Sequence, residues 1–238
     1  MPEVKIGPID GGSAQLRAYL AAPAGTGPWP GIVVIHEAFG VDAVMRRQAD
    51  RLAAAGYLAL LPDLYSDGGA ARCVIGTFRS LLAGHGKPFT DIDATRRWLS
   101  RQPDCNGRVG VVGFCMGGAF ALATANRGFE AAAVNYGPLP PRLEEKLRGA
   151  CPMVASYGKK DFSTRGAAAK LERTLTRLDV AHDVKLYPTA GHSFLNDAMV
   201  GPRPLQPLLR IGNFKPDPEA AADAWQRIEQ FFAEHLGG

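Results

Sequence analysis

The stretch Val109–Gly118, VGVVGFCMGG, decides the fold of this chain. An apolar run opens it, and the small residues 119–125 follow it. A strand, a glycine-flanked residue and a helix, in that order, are the layout of a nucleophile elbow, in which a sharp turn holds one side chain above a sheet. Serine usually occupies that turn, and here the residue is Cys115. A small buried hydrophobe is the alternative reading of such a cysteine.

The composition is that of an ordinary globular protein. The chain has 238 residues, of which 46% are hydrophobic and 21% charged, enough for a full core. Nothing resembling a linker divides it, so we predict a single domain over residues 1–238. The net charge of +4 is spread along the chain in isolated pairs such as Arg46-Arg47. Nucleic-acid binding is therefore disfavoured.

Membrane and secretion signals are also missing from the sequence. No apolar stretch approaches the roughly 20 residues of a membrane span, and the N-terminal residues lack the apolar core of a signal peptide. The four cysteines are widely spaced and form no CxxC pair, which favours reduced thiols and no zinc site. We expect a cytoplasmic protein that acts on a small molecule as a monomer or weak homodimer.

The remainder of the chain alternates between strand-like and helix-like patterns. Strands are predicted at residues 4–6, 15–20, 32–35, 57–61, 131–136, 153–157 and 183–187, and helices at 42–55, 91–102, 167–178 and 218–236. Thr90 is the expected cap of the second helix, and residues 66–88 are glycine-rich and poorly patterned. A hairpin followed by repeated strand–helix units predicts an α/β fold, with a mostly parallel sheet and helices on both faces.

A thiol attacks a carbonyl as thiolate, so Cys115 needs a base. Sites in such sheets form at the carboxyl ends of the strands, and this rule sorts the five histidines. His192 follows the strand at 183–187 at the correct edge, whereas His182 begins that strand. Two others lie in a loop and near the end of the final helix. His36, which also follows a strand, is the only competitor to His192.

The same rule selects an acid to orient His192. Asp161 follows the strand at 153–157, whereas Asp183 begins a strand and lies at the wrong edge. A turn or helix-capping aspartate is the alternative interpretation of Asp161. The order Cys115, Asp161, His192 is the nucleophile–acid–histidine order of the α/β-hydrolase arrangement.

The stretch at residues 36–40, HEAFG, lies where a second oxyanion donor is needed. We predict that the backbone N–H groups of Ala38 and Met116 form the oxyanion hole, with Phe39 as a candidate substrate contact. A carboxylate beside a developing oxyanion would oppose it. Glu37 is therefore interpreted as hydrogen-bonded to the resting thiol of Cys115, with a surface salt bridge as the alternative.

Together these residues resemble the dienelactone hydrolase family. The matching elements are HEAFG (36–40), PDLY (62–65), VGVVGFCMGG (109–118), YGKKD (157–161) and GHSF (191–194), and they cover nearly the whole chain. The resemblance implies the α/β-hydrolase fold and a triad of Cys115, His192 and Asp161. It also implies that Glu37 governs ionisation of the cysteine, and that lactones and esters are hydrolysed without a metal or organic cofactor.

The sequence departs from the family at the residues that bind the substrate carboxylate. Characterised members hold the substrate carboxylate with two arginines, one in the loop after PDLY and one four residues past the catalytic histidine. The second position is Asn196 here, and Arg72 and Arg79 both stand as candidates for the first. Arg203 and Arg210 are further possible sources of charge. Dienelactone as the native substrate does not follow from this pattern.

The nucleophile itself restricts the substrate. A cysteine thiolate, with an ordinary pKa of about 8.5, leaves a tetrahedral intermediate more readily than a simple alkoxide does. Alkyl esters should therefore revert, whereas enol, aryl and thioesters go forward. We predict a hydrolase of lactones or activated esters. The alternatives are a thioesterase on the same scaffold and a non-hydrolytic thiol protein, such as a redox sensor or ligand-binding protein.

Overall fold

One eight-stranded sheet organises the computed structural model, which describes residues 3–237. Its strands are β1 (Glu3–Lys5), β2 (Arg17–Ala21), β3 (Trp29–Ile35), β4 (Leu58–Pro62), β5 (Cys105–Phe114), β6 (Ala132–Asn135), β7 (Met153–Gly158) and β8 (His182–Tyr187). They lie in the order β1-β2-β4-β3-β5-β6-β7-β8. The pairs β1–β2 and β2–β4 are antiparallel, and all pairs from β4 to β8 are parallel. The predicted N-terminal hairpin and mostly parallel sheet are confirmed.

Helices cover both faces of this sheet. They are α1 (Ala43–Ala54), α2 (Ala70–Ala83), α3 (Lys87–Ser100), α4 (Met116–Thr124), α5 (Leu143–Leu147), α6 (Ala167–Arg177), α7 (Gln206–Ile211) and α8 (Pro218–Leu236). A short 3₁₀ helix, Arg203–Leu205, precedes α7. The buried side chains of α1 and α8 pack in one core, and those of α2 to α6 pack in the other. The predicted α/β-hydrolase fold class is confirmed.

The central strands are buried on both faces because their side chains alternate between the two cores. In β3, Val33 and Ile35 belong to one core, whereas Ile32 and Val34 belong to the other. A run of β-branched residues suits this position, since each side of the pleat meets a helix layer. The continuous apolar pattern therefore places the site-bearing loops on a rigid support.

One helix was not predicted, and the start of another was predicted wrongly. The stretch at 66–88 contains α2, which is flanked by Gly69 and Gly84 and buries only Thr77 and Leu81. Helix α3 begins at Lys87 rather than at residue 91, with Gly86 as its N-cap and a proline in its first turn. Proline is favoured there because its fixed φ suits the first turn. Thr90 consequently lies inside the helix and does not cap it.

Within residues 3–237, no helix is both long and apolar enough to cross a membrane. The same range contains no group of three His, Cys, Asp or Glu side chains arranged to hold a metal ion.

Candidate active site

Cys115 sits on the sharp turn between β5 and α4. Its backbone has φ 54° and ψ −117°, a left-handed region that costs energy for a side-chain-bearing residue. A Cβ at Gly113 would collide with the carbonyl oxygen of Gly117, and one at Gly117 would collide with that of Ile35. The two glycines therefore let α4 begin directly against the end of β3. Cys115 is only partly buried, so its thiol can meet a substrate.

His192 and Asp161 form a buried pair at the same edge of the sheet. Nδ1 of His192 lies 2.6 Å from Oδ2 of Asp161, and both residues are at most 3% exposed. Nε2 is buried and has no hydrogen-bond partner among residues 3–237. Burial lowers the pKa of His192, but the charge of Cys115 and the bond to Asp161 outweigh burial and raise it to about 10. Nε2 is therefore the nitrogen of His192 that the described residues leave free, and Cys115 lies near enough for its charge to act on the imidazole.

Asp161 is held by its own loop. Its Oδ1 accepts from the backbone N–H and the hydroxyl of Ser163, at 2.9 and 2.6 Å, and its Oδ2 accepts from the Thr164 hydroxyl at 2.7 Å. Burial raises the pKa of Asp161, but the bond from His192 and these loop bonds lower it to about 2. The carboxylate is therefore ionised and fixed in orientation.

His36, the competing base, is occupied on both nitrogens. Its Nε2 accepts from the Leu64 N–H at 3.2 Å, so Nδ1 carries the proton and donates to the Glu37 carbonyl oxygen at 2.6 Å. The ring is fully buried, and burial lowers its pKa. His36 is thus a neutral structural link between two loops. His192 is the histidine with a free nitrogen at the site.

Glu37 makes a different set of contacts from those expected. No hydrogen bond joins it to Cys115 within residues 3–237, so the interpretation of a direct bond to the resting thiol was wrong. Its Oε1 instead accepts from Tyr136 Oη at 3.2 Å, Ser193 Oγ at 3.2 Å and Asn196 Nδ2 at 3.0 Å. Burial raises the pKa of Glu37, opposed by the nearby charge of His192 and by these three donors. The alternative interpretation, a surface salt bridge, is excluded as well, because the side chain is buried.

Asn196 belongs to this same network. It is buried, its Nδ2 donates to Glu37, and its Oδ1 accepts from Gln48 Nε2 at 3.2 Å. Both ends of the amide are therefore used inside the protein. A contact between Asn196 and a substrate would require it to leave these partners.

The proposed oxyanion donors lie beside one tyrosine. The Tyr65 hydroxyl donates to the Ala38 carbonyl oxygen at 3.0 Å and lies 3.5 Å from Met116 Sδ. Neither the Ala38 N–H nor the Met116 N–H donates a hydrogen bond to any residue of the described range. Burial and the nearby charge of Cys115 raise the pKa of Tyr65. The two backbone donors are thus available close to the nucleophile.

The candidate arginines are distributed around the site and not joined to it. Arg72 and Arg79 lie exposed on α2, and neither forms an ion pair with a residue of the described range. Arg203 lies in the 3₁₀ helix and Arg210 on α7. A Cβ added at Gly201 would collide with the Phe39 ring. The segment before α7 therefore packs against the loop after β3.

Sequence reasoning missed three residues at the site. Tyr65 and Ser193 lie inside the PDLY and GHSF motifs, so the signal was present and was given no role. Tyr136 has no such signal: it is fully buried with φ 42°, its ring centroid lies 5.0 Å from that of His192, and it follows a four-residue strand. A positive φ at a tyrosine cannot be predicted from local sequence.

Comparisons with known proteins identify the family and the fold. A model of the dienelactone hydrolase family matches residues 16–236. A Yersinia pestis protein, named provisionally as a carboxymethylenebutenolidase, is 30% identical over 93% of this chain and 84% of its own length. The carboxymethylenebutenolidase of Rhodococcus opacus is 28% identical over 92% of this chain and 86% of its length. A Klebsiella pneumoniae structure, named provisionally as a dienelactone hydrolase, has a TM-score of 0.79 with 26% identity and covers 98% of both chains.

The match extends over almost the entire sheet and includes the elbow and the loops after β3, β7 and β8. The chain therefore belongs to the dienelactone hydrolase family and is a hydrolase of the α/β-hydrolase fold.

Proposed function

We propose that this protein hydrolyses lactones or activated esters through a covalent intermediate on Cys115. The observation that carries the proposal is the state of His192: Nδ1 is bonded to Asp161, while Nε2 is buried, unpaired among residues 3–237, and close enough to Cys115 for the charge of the cysteine to raise its pKa. A nucleophile, a base and an orienting acid in this relation are the parts of a catalytic triad.

In the first half of the reaction, the Cys115 proton passes to His192 Nε2 and the thiolate attacks the ester carbonyl. Nε2 of His192 is unpaired among residues 3–237 and free to take this proton, because Nδ1 is bonded to Asp161. The N-terminus of α4 also favours negative charge at Cys115, which is its N-cap. The S–C bond forms, the carbonyl oxygen becomes an oxyanion, and the N–H groups of Ala38 and Met116 receive it.

Collapse of the intermediate breaks the C–O bond, and the imidazolium of His192 gives its proton to the departing oxygen. Water then attacks the thioester carbon while His192 takes up its proton. The S–C bond breaks, the acid is released and the thiol is restored. Asp161 keeps its charge throughout, holding the imidazole in one tautomer.

Glu37 acts on this cycle through charge and not through direct contact. It shares an electrostatic interaction with His192, and three donors fix its Oε1. A carboxylate so placed favours the imidazolium form of His192. Glu37 is therefore proposed as a group that sets the ionisation of the Cys115–His192 pair.

The substrate we favour is uncharged near Asn196. The buried amide there already serves Glu37 and Gln48, and it supplies no positive charge to a substrate carboxylate. Within neutral substrates, the thiolate selects those whose leaving group is stabilised, such as enol lactones and aryl esters. Thioesters satisfy the same requirement and form the second arm of the test.

Replacing Cys115 with Ala tests the nucleophile, with Cys73→Ala as the matched control on α2. We expect turnover of an aryl acetate by Cys115→Ala to fall to background, since no other group can form the acyl intermediate, while Cys73→Ala stays within about twofold. Mass spectrometry should detect an acyl group on wild-type Cys115 during turnover.

Retained activity in Cys115→Ala would refute the covalent mechanism. Similar kcat/KM values for aryl acetate and ethyl acetate would refute the leaving-group preference. A thioester turned over far faster than either ester would move the assignment to a thioesterase.

A further inference from the structure

A second concave surface lies away from Cys115, between α5 and α6. It is a groove of about 660 Å³, and it is rich in positive charge. Its five cationic side chains are Arg142, Arg148, Lys170, Arg173 and Arg177. Only two carboxylates, those of Glu144 and Glu145, line the same groove. The groove thus concentrates an excess of positive charge in a chain whose net charge is only +4.

Most of these cations have no ion-pair partner. Arg177 lies 2.6 Å from Glu144, and the other four form no salt bridge with any residue of the described range. The groove at the N-terminal edge of the sheet differs: there Arg17 pairs with Asp63 at 3.1 Å and Arg46 with Glu3 at 3.0 Å. The α5–α6 groove thus holds four cations that are unpaired within the described range, whereas both arginines of the groove at β1 and β2 are paired.

The fold holds these like charges together against repulsion. Lys170, Arg173 and Arg177 are three and four residues apart on α6, so they share one face of that helix. Like charges at this spacing destabilise a helix. At the other wall, Arg142 takes a left-handed backbone, φ 54° and ψ 46°, at the N-cap of α5. An anion bound in the groove would relieve the repulsion along α6.

We propose that this groove binds a small molecule that carries two or more phosphate groups. Arginine recognises phosphate through paired, charge-assisted hydrogen bonds, and the groove offers four arginines. Its volume lies within the range of small-molecule sites. No aromatic side chain lines it, so it has no stacking platform for nucleic-acid bases. The phosphates, and not a base, are the recognised part.

The groove is separate from the catalytic loops but touches their outer side. Lys170 also lines a smaller groove that Ser163 and Thr164 share, and those two residues hold Asp161. None of the cationic residues contacts the triad. Phosphate binding in the groove is therefore independent of the ester chemistry at Cys115.

Calorimetric titration of the full chain with inorganic tripolyphosphate tests the site. We expect submillimolar binding at low salt that weakens as salt rises. Arg173→Glu, at the centre of the α6 face, should weaken binding at least about tenfold. Arg101→Glu, an exposed arginine outside the groove with the same change of charge, should change it less than about twofold. Aryl ester turnover should stay unchanged in both variants, which shows that both are folded.

Three outcomes would overturn the proposal. The first is no tripolyphosphate binding at millimolar concentration in low salt. The second is equal weakening by Arg101→Glu and Arg173→Glu, which would mean attraction by net charge alone. The third is tighter binding of a single-stranded RNA than of tripolyphosphate with the same loss in Arg173→Glu, which would assign the groove to a macromolecule. If Arg173→Glu lost ester turnover, Arg173→Ala would take its place.

Discussion

Two buried carboxyl groups at the site, Asp161 after β7 and Glu37 after β3, have pKa values shifted in opposite directions. Each residue is 2% exposed, yet the pKa of Asp161 falls to about 2 while that of Glu37 rises. Four donors reach Asp161 and are shared between its two oxygens, one of them from His192 at 2.6 Å. Three donors reach Glu37, all at Oε1. At Asp161 the bond and charge of His192, with the loop donors, outweigh burial, whereas at Glu37 burial outweighs the charge of His192 and the three donors.

The largest effect should come from Asp161→Asn. Replacing the carboxylate removes the negative acceptor at His192 Nδ1 and permits the wrong tautomer, so kcat/KM for an aryl acetate should fall on the order of 10³-fold or more. Glu37→Gln serves as the comparison, because it neutralises the other buried carboxyl without touching His192 Nδ1. Equal losses in the two variants would contradict the distinction between them.

Glu37→Gln should separate activity from stability. We expect kcat/KM to fall about tenfold, because a negative charge that favours the imidazolium of His192 is lost, while the melting temperature at pH 8 rises. The raised pKa of Glu37 means that its contribution to stability is present below its ordinary value of 4.5 and is lost as pH rises. Thermal unfolding from pH 4 to pH 8 measures this, and the gain should vanish at the acid end.

Asp161→Asn is the opposing control in those unfolding experiments. The pKa of Asp161 is depressed from 3.8 to about 2, so its contribution is present above 3.8 and is lost as pH falls towards 2. Asp161→Asn should therefore unfold at a lower temperature than wild type at pH 7. A lower melting temperature for Glu37→Gln at pH 8 would refute the assigned sign.

The smallest effects should come from removing one hydroxyl group that donates a hydrogen bond to each carboxyl group. Thr164→Val leaves Asp161 with three donors, and Tyr136→Phe leaves Glu37 with two. One hydrogen bond corresponds to a factor of about 2 to 10, so we expect about a twofold loss of kcat/KM for Thr164→Val and about fivefold for Tyr136→Phe. The reverse order would show that donor number does not set the sensitivity of the two sites.

Much of the site was predictable because its residues follow the carboxyl ends of strands. The glycine pattern around Cys115 predicts the turn, and the rule that sites form at carboxyl strand ends selected Asp161 and His192 over Asp183 and His182. These predictions rest on residues close to a strand end in the chain. Each therefore depends on local patterns and not on distant packing.

The Glu37 network was not predictable for the opposite reason. Asn196 is separated from Glu37 by 159 residues and from Gln48 by 148, and no local pattern reports such a pairing. Tyr136 adds a left-handed backbone that a tyrosine seldom adopts. Long-range packing decides both of these features. Helix α2 was missed for a local reason, because glycines stand at both of its ends and at Gly76 inside it.

Tyr65 places a constraint on any directed evolution of this protein. One phenol oxygen bonds the carbonyl of Ala38 and touches the sulfur of Met116, two residues that lie 78 positions apart in the chain. A substitution at Tyr65 would therefore disturb both segments at once. Libraries that keep Tyr65 and vary α2 or α7 leave the spacing of those segments intact.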